Sequence, residues 1–370
     1  MRNIVPLLFF VLLLAIMAGS VIYLGRRMDY FFNTDSPQTW YIVFSATLVF
    51  MIGGLIAFSN ANSFFGSLLY KTAAVLVGFT LYFLLSVLIV DLANLFVKLP
   101  PGLMGGISLG LASLVFLFGL TNSFNTKITK RDISISGITD TLKIAHLSDI
   151  HIGHFRGPKF LQQIVNKTNS QNPDIVVITG DMFDGSIRLN EKVLNPLRQL
   201  QAPVFFVNGN HDVYSGLKSV YESLQKTGVH VLKNEIAESH GLQIIGLNHM
   251  SADSSSGGMH ATQGGPTMKD VLNKLNIDRN KPTLLLHHSP DGIEYASRHG
   301  VDLYLAGHTH GGQQFPVTIV NELLFKFNRG LHSYGNTQIY VSTGIGTFGP
   351  PVRIGTKSEI VIINLVTNDG

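Results

Sequence analysis

The chain predicts an α/β domain over residues 123–370, preceded by an all-α transmembrane region of four helices over residues 1–122. Two observations predict this division. The first is polarity: residues 1–122 hold five Lys/Arg (Arg2, Arg26, Arg27, Lys71, Lys98), three acids (Asp29, Asp35, Asp91) and none of the 14 histidines. The second is pattern. Beyond residue 122, short β-branched apolar runs alternate with helix-period segments, and several of these runs stop at Asp, Asn or His. Strands alternating with helices early, and dominating late, imply more than one sheet.

In the first part, the apolar runs Ile4–Leu24, Trp40–Phe58, Thr72–Val97 and Leu103–Leu120 approach or exceed the roughly 20 residues that cross a hydrocarbon core of about 30 Å. Trp40 and Tyr41 suit an interface, the third run is long enough to tilt, and Pro100–Pro101 separate it from the fourth. The first run lacks a small-residue cleavage site and three more follow, so it reads as a retained span and not a signal peptide. Arg26–Arg27 follow their apolar run instead of preceding it, which excludes a twin-arginine export signal; they read as a solvated flank. Asp91 lies inside the third run. Either it forms an intramembrane polar site, or it sits near the helix end and pairs with Asn94 or Lys98; the second is the expectation. With four spans, Arg2, Lys71, Lys127, Lys130 and Arg131 share one side and Arg26, Arg27 and Lys98 the other. The positive-inside rule then predicts a multi-pass protein of the cell (inner) membrane with a cytoplasmic C-terminal domain.

The remainder is nearly neutral. A pI near 9.1 without a polybasic tract gives no reason to expect nucleic-acid binding. The absence of cysteine excludes disulfides and thiolate metal sites. Strands are predicted at Lys127–Ser136, Leu142–Leu147, Asp174–Thr179, Val204–Val207, Leu242–Leu247, Thr283–Leu286, Val301–Leu305, Ile339–Ser342 and Ile360–Leu365. Helices are predicted at Pro158–Asn169, Leu189–Leu200, Leu217–Lys226 and Gly292–Arg298. Ser251–Gly265, rich in Ser and Gly, reads as a mobile loop.

The run from Ile175 to Ile178 shows no alternation, as for a strand covered on both faces. Gly180 then turns the chain and presents Asp181 at the strand's carboxyl end, where α/β sheets place ligands. Asp149 and His151 follow the strand ending at Leu147. His308 and His310 follow the strand ending at Leu305. In each pair, strand alternation should turn i and i+2 to one side and the intervening Ile150 and Thr309 away. Asn210 supplies an amide oxygen at another strand end, and His288 a nitrogen at a further one. An O/N donor set without sulfur suits Mn, Fe, Zn or Mg. Two ions sharing Asp181 would have the two-metal arrangement used for phosphoryl displacement.

The order Asp149-x-His151, Gly180-Asp181, Gly209-Asn210-His211-Asp212, His288-x-Pro290 and Gly307-His308-x-His310 resembles the calcineurin-like metallophosphoesterase family. The likeness covers about residues 140–366. Gly307–Gln313, and Val341–Gly346 with Pro351-Val352-Arg353 and Glu359-Ile360, resemble a bacterial branch that carries N-terminal membrane segments. The resemblance implies a sandwich of two mixed sheets flanked by helices. It implies two divalent ions: one on Asp149, His151, Asp181 and His310, the other on Asp181, Asn210, His288 and His308. His288 is preferred over His287 because His288-Ser289-Pro290-Asp291 matches the family's His-x-Pro-Asp. It further implies a metal-bridging hydroxide as nucleophile, with His211 protonating the leaving group. Asp212 either orients His211 or caps a turn, and His154 and Arg353 are either phosphate contacts or solvated surface residues. The expected substrate is a phosphodiester or diphosphate on a lipid or lipid precursor, met at the bilayer. The alternatives are a tethered phosphodiesterase of soluble nucleotides and a non-catalytic membrane sensor or scaffold. Val317–Leu331, with Leu323, Leu324, Phe325 and Phe327 beside Lys326 and Arg329, is either an interfacial segment or an ordinary domain loop.

Overall fold

The computed structural model describes residues 4–185, 191–255 and 265–367. The chain separates into two compact units: Met1–Thr121 with Gly349–Val352, and Asn122–Phe348 with Arg353–Gly370.

The helical unit is built from α1 (Ile4–Phe32), α2 (Pro37–Ala57), α3 (Phe64–Asn94) and α4 (Pro101–Phe124). Long apolar runs favour helices here because a helix satisfies its own backbone polar groups. Pro37 opens α2 where a missing N–H costs nothing. The Ser63 hydroxyl caps α3, accepting from the Gly66 amide at 3.1 Å. Small residues let the helices approach: a side chain added at Gly54 would strike Ala73, and one at Gly105 would crowd Phe31. Helices α2, α3 and α4 are each long and apolar enough to cross a membrane. The first predicted span falls within α1, and the side chains of its first residues, 4–14, lie outside the described residues.

Asp91 does not pair with Asn94 or Lys98. Arg27 of α1 forms an ion pair with it, and the Tyr23 hydroxyl donates to its other oxygen at 2.5 Å. Asn94 instead accepts from the Leu99 amide at 2.8 Å. Arg27 is therefore no solvated flank. α1 runs on past the apolar segment, and Tyr23 and Arg27, one turn apart, lie on the same face.

The second unit holds two six-stranded mixed sheets. The first has the order β1 (Lys127–Ser134), β12 (Glu359–Val366), β2 (Leu142–Leu147), β3 (Ile175–Thr179), β4 (Val204–Val207), β5 (His230–Val231). The second has the order β10 (Gly330–Tyr334), β11 (Thr337–Val341), β9 (Leu303–Ala306), β8 (Thr283–Leu286), β7 (Leu242–Gly246), β6 (Glu235–Ser239). Pairing is parallel except at β12–β2, β6–β7 and β10–β11. The packing explains the unbroken apolar runs. Ile175 and Val177 of β3 enter the core between the sheets, with Leu284, Leu286, Leu303 and Leu305 from the second sheet. Val176 and Ile178 face the opposite way, onto α5 (Pro158–Asn169) and α7 (Leu217–Gln225). The outer face of the second sheet is covered by α8 (Met268–Leu272) and α9 (Ile293–Arg298). Each such aliphatic side chain contributes about 1.5–3 kcal/mol when buried.

Some elements differ from expectation. The predicted helix Leu189–Leu200 is a 3₁₀ segment, Glu191–Gln199, because Pro196 within it cannot donate an α-helical bond; residues 186–190 lie outside the described residues. Strand β5 has only two residues, and β6 and β10 carry no continuous apolar run, so periodicity did not reveal them. Of the predicted loop 251–265, residues 256–264 lie outside the described residues; Ser251 and Ala252 are tied by their carbonyls to the amides of Met268 and Lys269.

The Arg27–Asp91 pair gives a test. Asp91→Leu leaves Arg27 without its carboxylate, whereas Arg27→Met with Asp91→Leu removes both charges. Thermal unfolding in detergent should show the single variant less stable than the double, with a coupling of about 1–2 kcal/mol.

Candidate metal centre

The predicted side chains meet where strands of both sheets end, but on different backbone from that expected. Asp149, His151, Asp181, His308 and His310 lie just beyond their strands with φ between 50° and 71°. This is the left-handed region, which non-glycine residues seldom occupy. Strand alternation is therefore not why i and i+2 face together; two successive left-handed residues flanking one ordinary residue do it. The intervening side chains do turn away. Ile150 is buried in the core, and Thr309 donates to the Asn328 carbonyl at 2.5 Å.

The loops are sewn to each other by their main chains. The Asp149 amide donates to the Gly180 carbonyl and the His151 amide to the Asp181 carbonyl. Asn210 opens α6 (Asn210–Tyr214) directly after Gly209. Glycine is required at 209, since a Cβ there would overlap the Asp181 carboxylate and backbone. The His211 amide donates to Asp181 Oδ1 at 2.9 Å.

Asp149, His151 and His310 form one group with ligand atoms within 4.8 Å of one another, and Asp149, Asp181 and His288 form a second. Asp181 Oδ2 lies 3.2 Å from His288 Nε2 and 3.8 Å from His151 Nε2, so its carboxylate faces both groups. His308 Nδ1 is 3.2 Å from His288 Nε2. His288 Nδ1 donates to the Thr179 carbonyl at 2.7 Å, which leaves Nε2 to face the centre. His287, next in the chain, is turned away: its ring nitrogens meet the Ser289 carbonyl, the Tyr304 hydroxyl and the Met250 amide.

The donor set fits divalent cations. Asn210 Oδ1 is buried without a hydrogen-bond partner, an arrangement proteins rarely tolerate unless an ion or water fills it. Nε2 of His151 and Nε2 of His310 face each other at 3.1 Å. Burial raises the Asp149 carboxyl. Burial also works to raise Asp181, but the neighbouring His288 charge and hydrogen bond overcome it and hold the carboxyl well below its usual range. Burial pulls the His288 imidazole down, yet the Asp181 and Asp149 carboxylates lift it to about 10. Burial and the His151 and Arg353 charges hold His310 well below the usual histidine range, in the neutral form that binds metal. Two buried carboxylates among histidines thus attract positive charge.

Of the two readings of Asp212, the structure shows the cap and not a bond to His211: its carboxylate accepts from the amides of Gly209 (2.9 Å) and Phe183 (3.2 Å), clasping two ligand loops together. Burial and Asp181 push it up to about 7. His211 Nδ1 instead donates to the Asp184 carbonyl at 2.9 Å. Arg353 is no exposed phosphate contact. It is fully buried, donates to the carbonyls of Thr343, Gly346 and Lys357, and lies 3.2 Å from His310 Nδ1. His154 is likewise buried.

Other residues at the centre were not singled out from the sequence. Asp184 Oδ1 lies 3.5 Å from His151 Nδ1; its place three residues after Asp181 was the available signal. Ser148 donates to Asp149 at 2.5 Å. The Phe348 ring, half exposed, stands 5.6 Å from the His310 ring and 6.2 Å from the His211 ring, and no motif marks it.

The calcineurin-like phosphoesterase family description matches residues 142–312. A metallophosphoesterase of Campylobacter jejuni is 33% identical over 258 residues, 68% of this chain and 67% of that one. One of Aquifex aeolicus is 34% identical over 234 residues, 60% of this chain and 85% of that one. A Danio rerio protein named for a transmembrane region and a metallophosphoesterase domain is 31% identical over 276 residues, 70% of this chain and 62% of that one. The centre and its fold define a metal-dependent phosphoesterase domain. The chain belongs to the calcineurin-like metallophosphoesterase family. Among the described residues, three helices are long and apolar enough to cross a membrane.

Gly209→Ala should fold, by circular dichroism, yet bind less divalent metal by elemental analysis, because the added methyl displaces the Asp181 carboxylate.

Proposed function

We propose that the chain is a membrane-anchored phosphoesterase that hydrolyses a P–O bond of a phosphodiester or diphosphate carried on a lipid or lipid precursor. The observation that carries this is the buried convergence of Asp149, His151, Asp181, His288 and His310, with half-buried His308 beside His288 and the buried Asn210 amide oxygen lacking a donor. We assign one ion to Asp149, His151, Asp181 and His310 and a second to Asp181, Asn210, His288 and His308. Bound there, divalent ions supply Lewis acidity toward the phosphoryl oxygens and make water nucleophilic near neutral pH.

The chain's own groups do the rest. His211 is the proton donor to the leaving oxygen. Its Nδ1–H is held by the Asp184 carbonyl, which leaves Nε2 as the exchanging nitrogen. Its ring lies 4.9 Å from the His151 ring, beside the donor set. Asp212 acts on structure, fixing the Gly209 and Phe183 amides and so the approach of Asn210 to Asp181. A lipid-borne substrate is supported by the span-length helices and by two exposed rings near His211, Phe348 and Tyr214. The Lys/Arg distribution supports an inner-membrane location with the catalytic unit in the cytoplasm. The near-neutral charge of the catalytic unit argues against a nucleic-acid substrate.

Purified full chain in detergent, supplied with Mn²⁺, should hydrolyse a chromogenic diester and then release a product from a lipid extract. Inertness with every divalent ion offered would overturn the reading. Asp181→Asn should lose both bound metal and activity. His211→Ala should retain its metal and lose about 10²–10⁴-fold on esters with alkyl leaving groups, with a much smaller loss on p-nitrophenyl esters. An equal loss on both classes would remove His211 from the donor role.

A further inference from the structure

We propose that the face formed by Phe315 and α10 (Val317–Leu324) is seated in the surface of the bilayer that holds the chain's own spans. This inference goes beyond the substrate reading and does not depend on it: it concerns where the catalytic unit rests, not what it cuts.

The helix is inverted for a protein in water. Its one buried residue among those described is Thr318. Its apolar side chains face outward, with Leu323 83% exposed, Leu324 61% and Ile319 51%; Val317 and Val320, and Phe315 just before the helix, are also exposed. A soluble helix normally turns its apolar stripe inward, and a clustered exposed apolar surface marks an interaction site. Exposed Lys326 follows directly, its ammonium 4.9 Å from the Tyr334 ring. An apolar face bordered by a cation is the pattern of interfacial helices, and the cation complements anionic headgroups.

A bilayer is favoured over a protein partner by how the catalytic unit is entered. Asn122, in the last turn of α4, donates to the carbonyls of Arg353 and Thr356, both at 3.0 Å. The same short loop holds the start of the apolar face. Thr356 Oγ1 donates to the Gln313 carbonyl at 2.8 Å, and the Phe315 amide donates to the Ile354 carbonyl at 2.9 Å. Asn122, where the catalytic unit begins, and the apolar face are thus fastened to one loop. The face also adjoins the metal centre: the Phe325 ring, directly after α10, lies 6.2 Å from the His308 ring.

The chain contains no cysteine, so Leu323→Cys and Lys281→Cys each take a single nitroxide label. Lys281, its side chain 42% exposed, lies near the start of β8, at the end opposite the centre. Power-saturation EPR on the full chain, in nanodiscs of phosphatidylcholine with phosphatidylglycerol, reads the accessibility of each label to oxygen and to a water-soluble nickel chelate. The label at 323 should favour oxygen and the label at 281 should favour nickel. Ile319→Cys provides a second position on the face if the first substitution disturbs folding. Nickel preference at both face positions would overturn the proposal. Shielding from both reagents together with dipolar broadening between labels would also overturn it, by assigning the face to a second copy. The readout is independent of hydrolysis, so its failure is distinct from failure of the proposed activity.

Discussion

The centre depends on backbone held in an unfavourable conformation. Five of the seven ligand-type residues, Asp149, His151, Asp181, His308 and His310, have positive φ, at a cost of about 1–3 kcal/mol each. The loops cannot sustain this themselves. Strands whose side chains are buried on both faces fix the loop ends, and main-chain hydrogen bonds join one ligand loop to the next. In that conformation the polar side chains turn toward a common point, while Ile150 drops back into the core.

Burial makes the arrangement electrostatically demanding. Asp149, Asp181 and Asp212 are all buried within one small volume, where like charges destabilise one another. Asp212 is relieved by two amides and by a raised pKa. Asp149 and Asp181 lie against the His288 imidazole, whose pKa they raise, and the geometry suits divalent ions there. Buried Arg353 adds a fixed positive charge behind His310 while bracing the loop of Thr343–Gly346 through its carbonyls. Glu359 serves the same loop from the other side, accepting from the Thr343 amide and hydroxyl.

Much of this was legible in the sequence because both the strands and the polar residues after them leave local marks. An apolar run such as Ile175–Ile178, buried on both faces, has no alternation, and the Gly-Asp that follows signals a turn that presents a carboxylate. What escaped was what depends on residues far apart in the chain. The Arg27–Asp91 pair joins residues 64 positions apart, so a reading by nearest neighbours offered Asn94 and Lys98. Asp212 sits beside His211, which suggested a catalytic dyad, but its partners are amides brought in by two other loops. Arg353 looked exposed because arginine usually is, and only the fold reveals the carbonyls around it. The exposed apolar face of α10 was half visible: its composition was readable, but which residues it buries was set by the packing of Thr318 against Gly312.

One pairing in the first sheet bears on how the molecule is made. Strand β1, two residues after the last long helix, lies parallel to β12 along its whole length, from Lys127 opposite Glu359 to Ser134 opposite Val366. The partners are 232 positions apart, and β12 also fills the place between β1 and β2. The first strand of the domain must therefore wait for its partner until Glu359–Val366 has been made. An exposed strand edge during that interval invites wrong pairing. The first sheet can therefore close only after β12 has been made.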